Sequence, residues 1–221
     1  MQTWMHAMKE LDDRPLRELV IPGSHDAGTF VMEDRIDNNS SKCQEISILE
    51  QLKAGSRYLD LRAWKAKDHK YWMYHGGVWA HVKLEDVLAD IKTFLDQSTG
   101  EIVIATLLID DNTSEDAGWE WACTEVKDYM ATPSDVNGKS FADVTLRQFR
   151  DARKRLVLLR SSDASQLACM DREGVWGNSL YPADYVKALE NYRIWSDKMW
   201  ILHLGIPYKG DIGNTMPTRA E

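Results

Sequence analysis

The sequence predicts an α/β fold and, within that class, a TIM-type (β/α) barrel. Short apolar segments typical of buried strands alternate with segments whose apolar residues recur at helical spacing, as in parallel sheets covered by helices. Polar or titratable residues follow several of these strands, and barrels collect their chemistry at the C-terminal ends of strands. No glycine-rich dinucleotide or P-loop fingerprint follows any strand, which removes the main support for a doubly wound sheet.

The N-terminal segment predicts a helix, a strand and a polar loop. Residues 4–11 carry apolar side chains at helical spacing and predict a short amphipathic helix. Residues 18–30 begin with an apolar strand that is broken by a Pro-Gly pair, and His25 and Asp26 follow the break. Because Pro and Gly end a strand, we expect these two side chains to project from a loop at its C-terminal end.

The second strand carries a charged pair on one face. Residues 44–54 predict the first crossover helix, with Gly55 as its C-terminal cap. In the strand predicted at residues 56–64, Asp60 and Arg62 share one face while leucines occupy the other. This pattern suits a barrel lumen or an active-site mouth, and a salt-bridged pair on a solvated sheet face is the alternative.

A third strand, predicted at residues 70–77, ends in a histidine. His75 shares a face with Tyr71 and Met73, and two glycines break the strand directly after it. A single histidine at a strand end is usually structural. Because this is the third consecutive strand to place polar or titratable groups at its C-terminal end, we interpret His75 as part of the same site.

The remaining chain continues the alternation. Helices are predicted at residues 83–97, 114–130, 145–154 and 181–196, and strands at 101–109, 155–162 and 198–206. Arg160, at the end of one of these strands, is a candidate phosphate contact, with an ordinary surface arginine as the alternative. Six strands are identified above and a seventh can be counted with effort, whereas a closed barrel needs eight and typically about 250 residues. We therefore expect residues 1–221 to form a single domain whose barrel is incomplete, with its last strand missing and its C-terminal part truncated.

The charge balance restricts the partners. The chain has 27 basic and 35 acidic residues, a formal net charge of −8. There is therefore no basic surface that would attract nucleic acid through bulk electrostatics, and we expect no nucleic-acid partner. A phosphate-bearing substrate would have to be held by a few cations placed in a cleft.

The sequence shows no metal-binding or targeting motif. The three cysteines are far apart and lack the spacing of a zinc site or a disulfide framework; they are Cys43, Cys123 and Cys169. The N-terminus lacks the regions of a signal peptide, and no run approaches the roughly 18 apolar residues of a membrane span. We expect a soluble, cytoplasmic protein. Some of its nine tryptophans suit a pocket rim or a transient contact with a membrane surface.

The polar residues at the strand ends suggest one reaction if His25, Asp26, Asp60, Arg62 and His75 converge. Two imidazoles can serve as base and acid at neutral pH, and a guanidinium between them can neutralise charge on a phosphoryl group. The two aspartates would orient an imidazole or hold the arginine. This set requires no nucleophilic Ser or Cys and no metal. It suits cleavage of a phosphodiester by a neighbouring hydroxyl of the substrate.

Three segments resemble the family of phosphatidylinositol-specific phospholipase C X domains, which are TIM-barrel-like phosphodiesterases. They are Ile-Pro-Gly-Ser-His-Asp-Ala-Gly-Thr at residues 21–29, Gly-Ser-Arg-Tyr-Leu-Asp-Leu-Arg at 55–62 and Tyr-His-Gly-Gly at 74–77. The resemblance covers roughly the N-terminal half of the chain. It implies that His25 is the general base and that His75 is the general acid.

The family has two forms at the cation position. Eukaryotic signalling members have an Asn after the first His and bind calcium, whereas bacterial-type members have an Asp there and an Arg in place of the metal. Here Asp26 follows His25, and Arg62 ends the second motif. The resemblance is thus to the metal-independent form and implies a site without a cofactor.

The chain also departs from the bacterial-type pattern. Those enzymes carry a Lys at the end of the fourth strand, where this chain has Leu108 or Ile109. Arg160 approximately matches an Arg after the fifth strand, and Asp184 and Tyr185 lie in the region of an Asp/Tyr pair that grips inositol. An acidic residue that orients the base comes from a late segment that this chain lacks. The resemblance therefore implies phosphodiester chemistry more firmly than inositol specificity.

Three functional hypotheses follow. The leading one is a phosphodiesterase of the phospholipase C type that acts on a phosphoinositide or a related glycerophosphodiester. The alternative is a truncated or degenerate barrel that binds a phosphodiester or lipid ligand without turnover. A third is a metal-dependent glycerophosphodiester phosphodiesterase, which would need acidic ligands where this chain has Arg62. The headgroup and the oligomeric state stay open, as does secretion by analogy with the family.

Overall fold

The computed structural model describes residues 3–32, 41–110, 115–137, 139–160, 172–176 and 199–203. Its α-helices are α1 (Trp4–Ala7), α2 (Ile48–Ala54), α3 (Leu84–Gln97), α4 (Glu115–Glu125) and α5 (Leu146–Asp151). Its strands are β1 (Gly23–Ser24), β2 (Tyr58–Lys65), β3 (Tyr71–His75), β4 (Val78–Lys83), β5 (Val103–Asp110), β6 (Leu156–Arg160), β7 (Arg172–Trp176) and β8 (Met199–His203). The helix predicted at residues 181–196 lies outside the described residues.

The main sheet is largely parallel. Its strand order is β4-β3-β2-β5-β6, and β1 pairs with the beginning of β2. The pairs β1–β2, β2–β5 and β5–β6 are parallel. A second sheet contains β7 and β8, also parallel; β7 is a strand that the sequence pattern did not predict. The predicted α/β class is therefore confirmed.

The third strand differs from its predicted role. We expected β3 to be another parallel strand of the barrel, but it runs antiparallel to β2 and forms a hairpin with β4. Gly76 and Gly77 supply the turn, with φ of 55° and 87°. Two consecutive positive φ angles suit a tight hairpin, so the two glycines reverse the chain into a further strand and do not merely end one.

The two faces of the sheet have different surroundings. On β2, Leu59, Leu61 and Ala63 point to a buried apolar cluster that includes residues of α2 and α3. Each fully buried leucine stabilises the fold by about 1.5–3 kcal/mol. Asp60 and Arg62 alternate with these residues and occupy the opposite face, here called the inner face.

The inner face is apolar toward the beginnings of the strands. Its second core cluster contains Ile104 of β5 and Val157 and Leu159 of β6, which pack with Met5 and Leu16 of the N-terminal segment. The polar residues of β2 follow this cluster in the strand direction. Asp60 and Arg62 therefore lie on the inner face beyond this apolar cluster, toward the C-terminal end of β2, where the predicted site belongs.

A buried ion pair anchors the beginnings of β2 and β5. Arg57 Nη2 lies 2.7 Å from Glu101 Oε2, and neither side chain is exposed. Arg57 also donates to the carbonyl of Leu52 at the end of α2, and Glu101 accepts from the backbone of Met5 and His6. The pair thus joins α1, α2, β2 and β5, and the sequence pattern did not predict it.

Helix ends follow the expected capping chemistry. Ser47 forms a capping box with Glu50, so α2 begins at Ile48, later than predicted. It ends at Ala54, with Gly55 as its C-terminal cap, as expected. Thr145 caps α5 as predicted, through a capping box with Gln148. Among the described residues, no helix combines the length and apolarity needed to cross a membrane.

Candidate active site

The five predicted site residues come together beside the C-terminal part of β2. His25 and Asp26 follow β1 directly, and β1 pairs with the first residues of β2. The antiparallel strand β3 pairs with the last residues of β2 and ends at His75. The loop after β1 and the end of β3 therefore meet at Asp60 and Arg62.

Close packing holds the loop after β1 in place. Asp26 adopts a left-handed conformation with φ of 43° and leads into a short 3-10 turn at Ala27–Thr29. A Cβ on Gly28 would lie only 2.6 Å from Met73 Cε, so only glycine allows the loop to approach β3 this closely. Thr29 Oγ1 donates to the Asp26 carbonyl at 2.8 Å and closes the turn.

Asp26 lies at the centre of the site. Its side chain is fully buried, and Oδ1 is 2.8 Å from Arg62 Nε. Oδ2 is 3.1 Å from His25 Nε2 and 3.3 Å from His75 Nε2. Burial raises the pKa of Asp26, although the neighbouring His25 and Arg62 oppose that rise. One carboxylate thus contacts the arginine and both histidines.

Asp60 orients His25. Its Oδ2 lies 2.8 Å from His25 Nδ1 and accepts from Arg62 Nη2 at 3.0 Å. Burial alone would raise the pKa of Asp60, but the hydrogen bond from His25 and the charge of Arg62 outweigh it and hold that pKa well below its usual range. An ionised carboxylate only accepts hydrogen bonds. His25 Nδ1 therefore carries a proton, and Nε2 is the nitrogen available for proton transfer.

Arg62 stays charged between the two aspartates. Burial lowers its pKa, but the charges of Asp60 and Asp26 outweigh that effect and raise the pKa above its usual value. About a quarter of the side chain remains exposed. The site therefore presents a fixed cation that is held by two carboxylates and remains accessible to a ligand.

His75 is oriented by a backbone carbonyl. Its Nδ1 lies 2.9 Å from the Ser41 carbonyl oxygen, which can only accept, so Nδ1 donates and Nε2 faces Asp26. The rings of His25 and His75 have centroids 6.3 Å apart in an edge-on arrangement. Both side chains are about a quarter exposed. Two imidazoles with defined tautomers thus flank one carboxylate.

Sequence reasoning missed the segment that closes one side of the site. Cys43 Sγ lies 3.9 Å from Asp26 Oδ2 and 3.8 Å from His75 Nδ1. Gln44 Nε2 donates to the His25 carbonyl at 2.8 Å. No spacing rule connects these residues to the histidines, because the path of the loop before α2 brings them there. His25, Asp26 and Cys43 each offer one possible metal-ligand atom, and these atoms lie within 4.8 Å of one another.

The predicted substrate contacts lie elsewhere or outside the described residues. Arg160 is in register with Leu107 of β5 and therefore lies on the helix-covered face, where its Nη2 is 2.7 Å from Asp116 Oδ1. A phosphate contact by Arg160 stays a prediction. Asp184 and Tyr185 fall among the residues that the structure does not describe, so their predicted role is also untested.

Leu108 occupies the inner face beside Arg62. The two residues are register partners on β5 and β2, and partners in register share a face. Ile109 points to the opposite face and is buried in the apolar cluster. Of the two positions considered for the family's lysine, Leu108 is therefore the one next to the site.

Comparison with known proteins agrees with the three motifs. The model of the family described as phosphatidylinositol-specific phospholipase C, X domain, matches residues 13–161. A relative from Staphylococcus aureus, named 1-phosphatidylinositol phosphodiesterase, is 35% identical over 101 residues, which cover 45% of this chain and 32% of the relative. A relative of the same name from Listeria monocytogenes is 29% identical over 162 residues, which cover 71% of this chain and 47% of the relative.

A solved structure shares the fold. Phosphatidylinositol-specific phospholipase C from S. aureus superimposes with a TM-score of 0.75 at 22% identity and covers 96% of this chain and 80% of its own. The predicted TIM-type barrel class is thereby confirmed, and the described sheet forms part of such a barrel. The matched segment spans about a third to a half of the two curated bacterial relatives.

Proposed function

The chain belongs to the phosphatidylinositol-specific phospholipase C X-domain family, and from this premise we propose that it cleaves phosphodiesters by base and acid catalysis with two histidines. One observation carries the proposal. Asp26 is fully buried, and its carboxylate contacts His25 Nε2, His75 Nε2 and Arg62 Nε. Two proton-transfer groups and a cation thus surround a single position that a phosphoryl group can approach.

His25 is the proposed general base. Because Asp60 holds the proton on Nδ1, Nε2 takes a proton from a hydroxyl of the substrate that neighbours the phosphodiester. The resulting alkoxide attacks phosphorus. The imidazolium so formed has Asp60 at 2.8 Å from Nδ1 and Asp26 at 3.1 Å from Nε2. Two carboxylates therefore stabilise the charge that His25 acquires.

His75 is the proposed general acid. Its Nδ1 donates to the Ser41 carbonyl, so the proton that it transfers comes from Nε2 in the protonated ring. That proton passes to the oxygen of the departing alcohol as the bond between phosphorus and oxygen breaks. Proton gain at His25 and proton loss at His75 leave the net charge of the site unchanged, and the first product is a cyclic phosphodiester.

Arg62 is the proposed electrostatic stabiliser. A guanidinium has five N–H donors, and contacts with Asp26 and Asp60 orient it from one side. It can donate to the phosphoryl oxygens as negative charge develops in the transition state. A fixed cation also explains how a chain with a net charge of −8 would hold an anionic substrate. No metal or other cofactor enters this mechanism.

The proposed substrate is a phosphoinositide or a related glycerophosphodiester. The two bacterial relatives are named 1-phosphatidylinositol phosphodiesterases, which favours a lipid substrate and therefore a transient contact with a membrane surface. Leu108 beside Arg62 supplies no charge to the headgroup. We accordingly propose phosphodiester cleavage as the core activity.

A barrel that binds a phosphodiester or lipid without turnover is the second candidate. It is favoured by the position of Asp26, whose Oδ2 engages Nε2 of both histidines and so competes with a substrate for the two groups. Purified protein should be assayed against phosphatidylinositol and other phosphodiesters, with and without EDTA. EDTA-insensitive release of the alcohol supports the enzyme, whereas binding of the diester without any product supports the second candidate.

A further inference from the structure

We propose that the site also binds a soft divalent cation of the zinc type through His25 Nε2, Asp26 Oδ2 and Cys43 Sγ, and that this binding blocks catalysis. One ligand atom from each of the three residues lies within 4.8 Å of the other two. This site differs from the calcium position of the eukaryotic signalling form because a thiol and an imidazole are among its ligands. The cation is an inhibitor here and takes no part in the proposed reaction.

The spacing of the three atoms suits tetrahedral coordination. Zinc lies about 2.0–2.1 Å from nitrogen or oxygen and about 2.3 Å from sulfur, so ligand atoms in a tetrahedron are roughly 3.3–3.6 Å apart. Here Asp26 Oδ2 is 3.1 Å from His25 Nε2 and 3.9 Å from Cys43 Sγ. The third pair of ligand atoms lies within 4.8 Å, so tetrahedral coordination requires side-chain movements of up to about 1 Å, with a water molecule in the fourth position.

The surrounding contacts are those that metal-ligating residues use. A histidine ligand commonly donates its second ring N–H to a carboxylate or a backbone carbonyl. His25 Nδ1 has Asp60 at 2.8 Å, and His75 Nδ1 has the Ser41 carbonyl at 2.9 Å. Arg62 engages the other oxygen of Asp26, Oδ1. Both imidazoles therefore already present Nε2 to the site in a fixed orientation.

The charges of the site balance a divalent cation. Asp60 and Arg62 form a neutral pair at 3.0 Å. Asp26 and a Cys43 thiolate would together neutralise the two charges of the metal, and the thiol proton would pass to the buffer as the sulfur bond to the metal forms. Thiolate and imidazole ligands favour zinc and cobalt over the hard cations calcium and magnesium.

Inhibition follows from the shared atom. His25 Nε2 is both the proposed base and a ligand, so it cannot accept a proton while it binds the metal. The inhibitory consequence rests on the proposed function, whereas the binding site itself does not. The experiment therefore measures binding and turnover separately on the full chain.

Cobalt(II) is the direct probe, because a thiolate ligand produces a charge-transfer absorption in the near ultraviolet. The wild-type chain should bind one equivalent of cobalt and show this absorption, which should disappear when zinc displaces the cobalt. Calcium and magnesium should have no effect. Cys43→Ser should abolish the absorption. It should also weaken zinc binding at least about 10- to 100-fold, the loss usual when a residue that hydrogen-bonds a metal ligand is replaced. Cys123→Ser and Cys169→Ser are the matched controls and should retain it. Burial raises the pKa of Cys123 to about 11, which makes that thiol a poor ligand.

Two results would overturn the proposal. One is a charge-transfer absorption that survives in Cys43→Ser or disappears in a control variant. The other is diester cleavage that continues at its metal-free rate in a protein that has bound one equivalent of zinc. The rate of each variant with zinc is compared with its own rate without zinc. If the chain cleaves no diester at all, the proposed function fails, and the cobalt spectra still decide the binding site.

Discussion

His25 Nδ1 and Asp60 Oδ2 lie 2.8 Å apart, so a residue of β2 orients the proposed base. The family resemblance implies an acidic residue from late in the barrel for this role. Asp60 is only two residues before Arg62 on the same strand, and its Oδ2 also contacts that guanidinium. One carboxylate of β2 therefore positions both a proton-transfer group and the cation.

Asp60→Asn should lower kcat far more than it changes KM. An amide can donate to His25 Nδ1 and so favour the wrong tautomer, with Nε2 protonated, and it no longer stabilises the imidazolium. We expect a loss of about 100-fold or more, within the range for general acid–base catalysis. Steady-state kinetics measure the split, and Asp60→Glu should recover part of kcat. A rise in KM alone would assign Asp60 to substrate binding.

Arg57→Met should destabilise the fold by about 3–5 kcal/mol, because it leaves Glu101 buried without its partner. Urea denaturation measures the free energy of unfolding. Arg147→Met is the control: its Nε lies 2.6 Å from Asp13 Oδ1 in an exposed pair, and such pairs contribute about 0–1 kcal/mol. Equal losses in the two variants would show that burial of the first pair has no special effect.

Leu108→Lys should strengthen binding of anionic diesters, because it adds a cation on the inner face in register with Arg62. We expect KM to fall roughly fivefold, which corresponds to about 1 kcal/mol for a partly exposed charge pair. Leu108→Met keeps the size without the charge and should leave KM unchanged. Equal KM values for the lysine and methionine variants would place the substrate phosphate away from this part of β5.

Residues 1–221 should unfold in a single transition if they form one domain. The enthalpy expected near 60 °C is about 0.7 kcal/mol per residue, or about 150 kcal/mol for the chain. Differential scanning calorimetry compares this value with the van't Hoff enthalpy, and the two should agree. Two resolved transitions would contradict a single domain.

Local patterns predicted the elements that depend on local forces. Helix α3 begins at Leu84 and ends at Gln97, within one residue of its predicted bounds, because its apolar residues repeat at helical spacing along its whole length. The caps at Gly55 and Thr145 were predicted from the residue types at the helix ends. Backbone geometry and neighbouring residues decide such features.

Some features that depend on distant contacts were not predicted. Arg57 and Glu101 are 44 residues apart in the sequence, and neither residue lies in a motif that indicates a buried pair. The approach of Cys43 to Asp26 depends on the path of a loop. The sequence placed His25, Asp60 and their partners at one end of the sheet, but the side-chain conformations of the folded state decide which carboxylate contacts which ring nitrogen.

The most direct measurement of the proposed mechanism compares His25→Ala and His75→Ala on substrates with different leaving groups. Each variant should lose about 10²- to 10⁴-fold in rate on an alkyl diester, with an unchanged circular dichroism spectrum. On a nitrophenyl diester, whose leaving group departs without a proton, His75→Ala should recover most of its rate and His25→Ala should not. Retained turnover of the alkyl diester by either variant, or the same dependence on the leaving group in both, would contradict the assignment of His25 as base and His75 as acid.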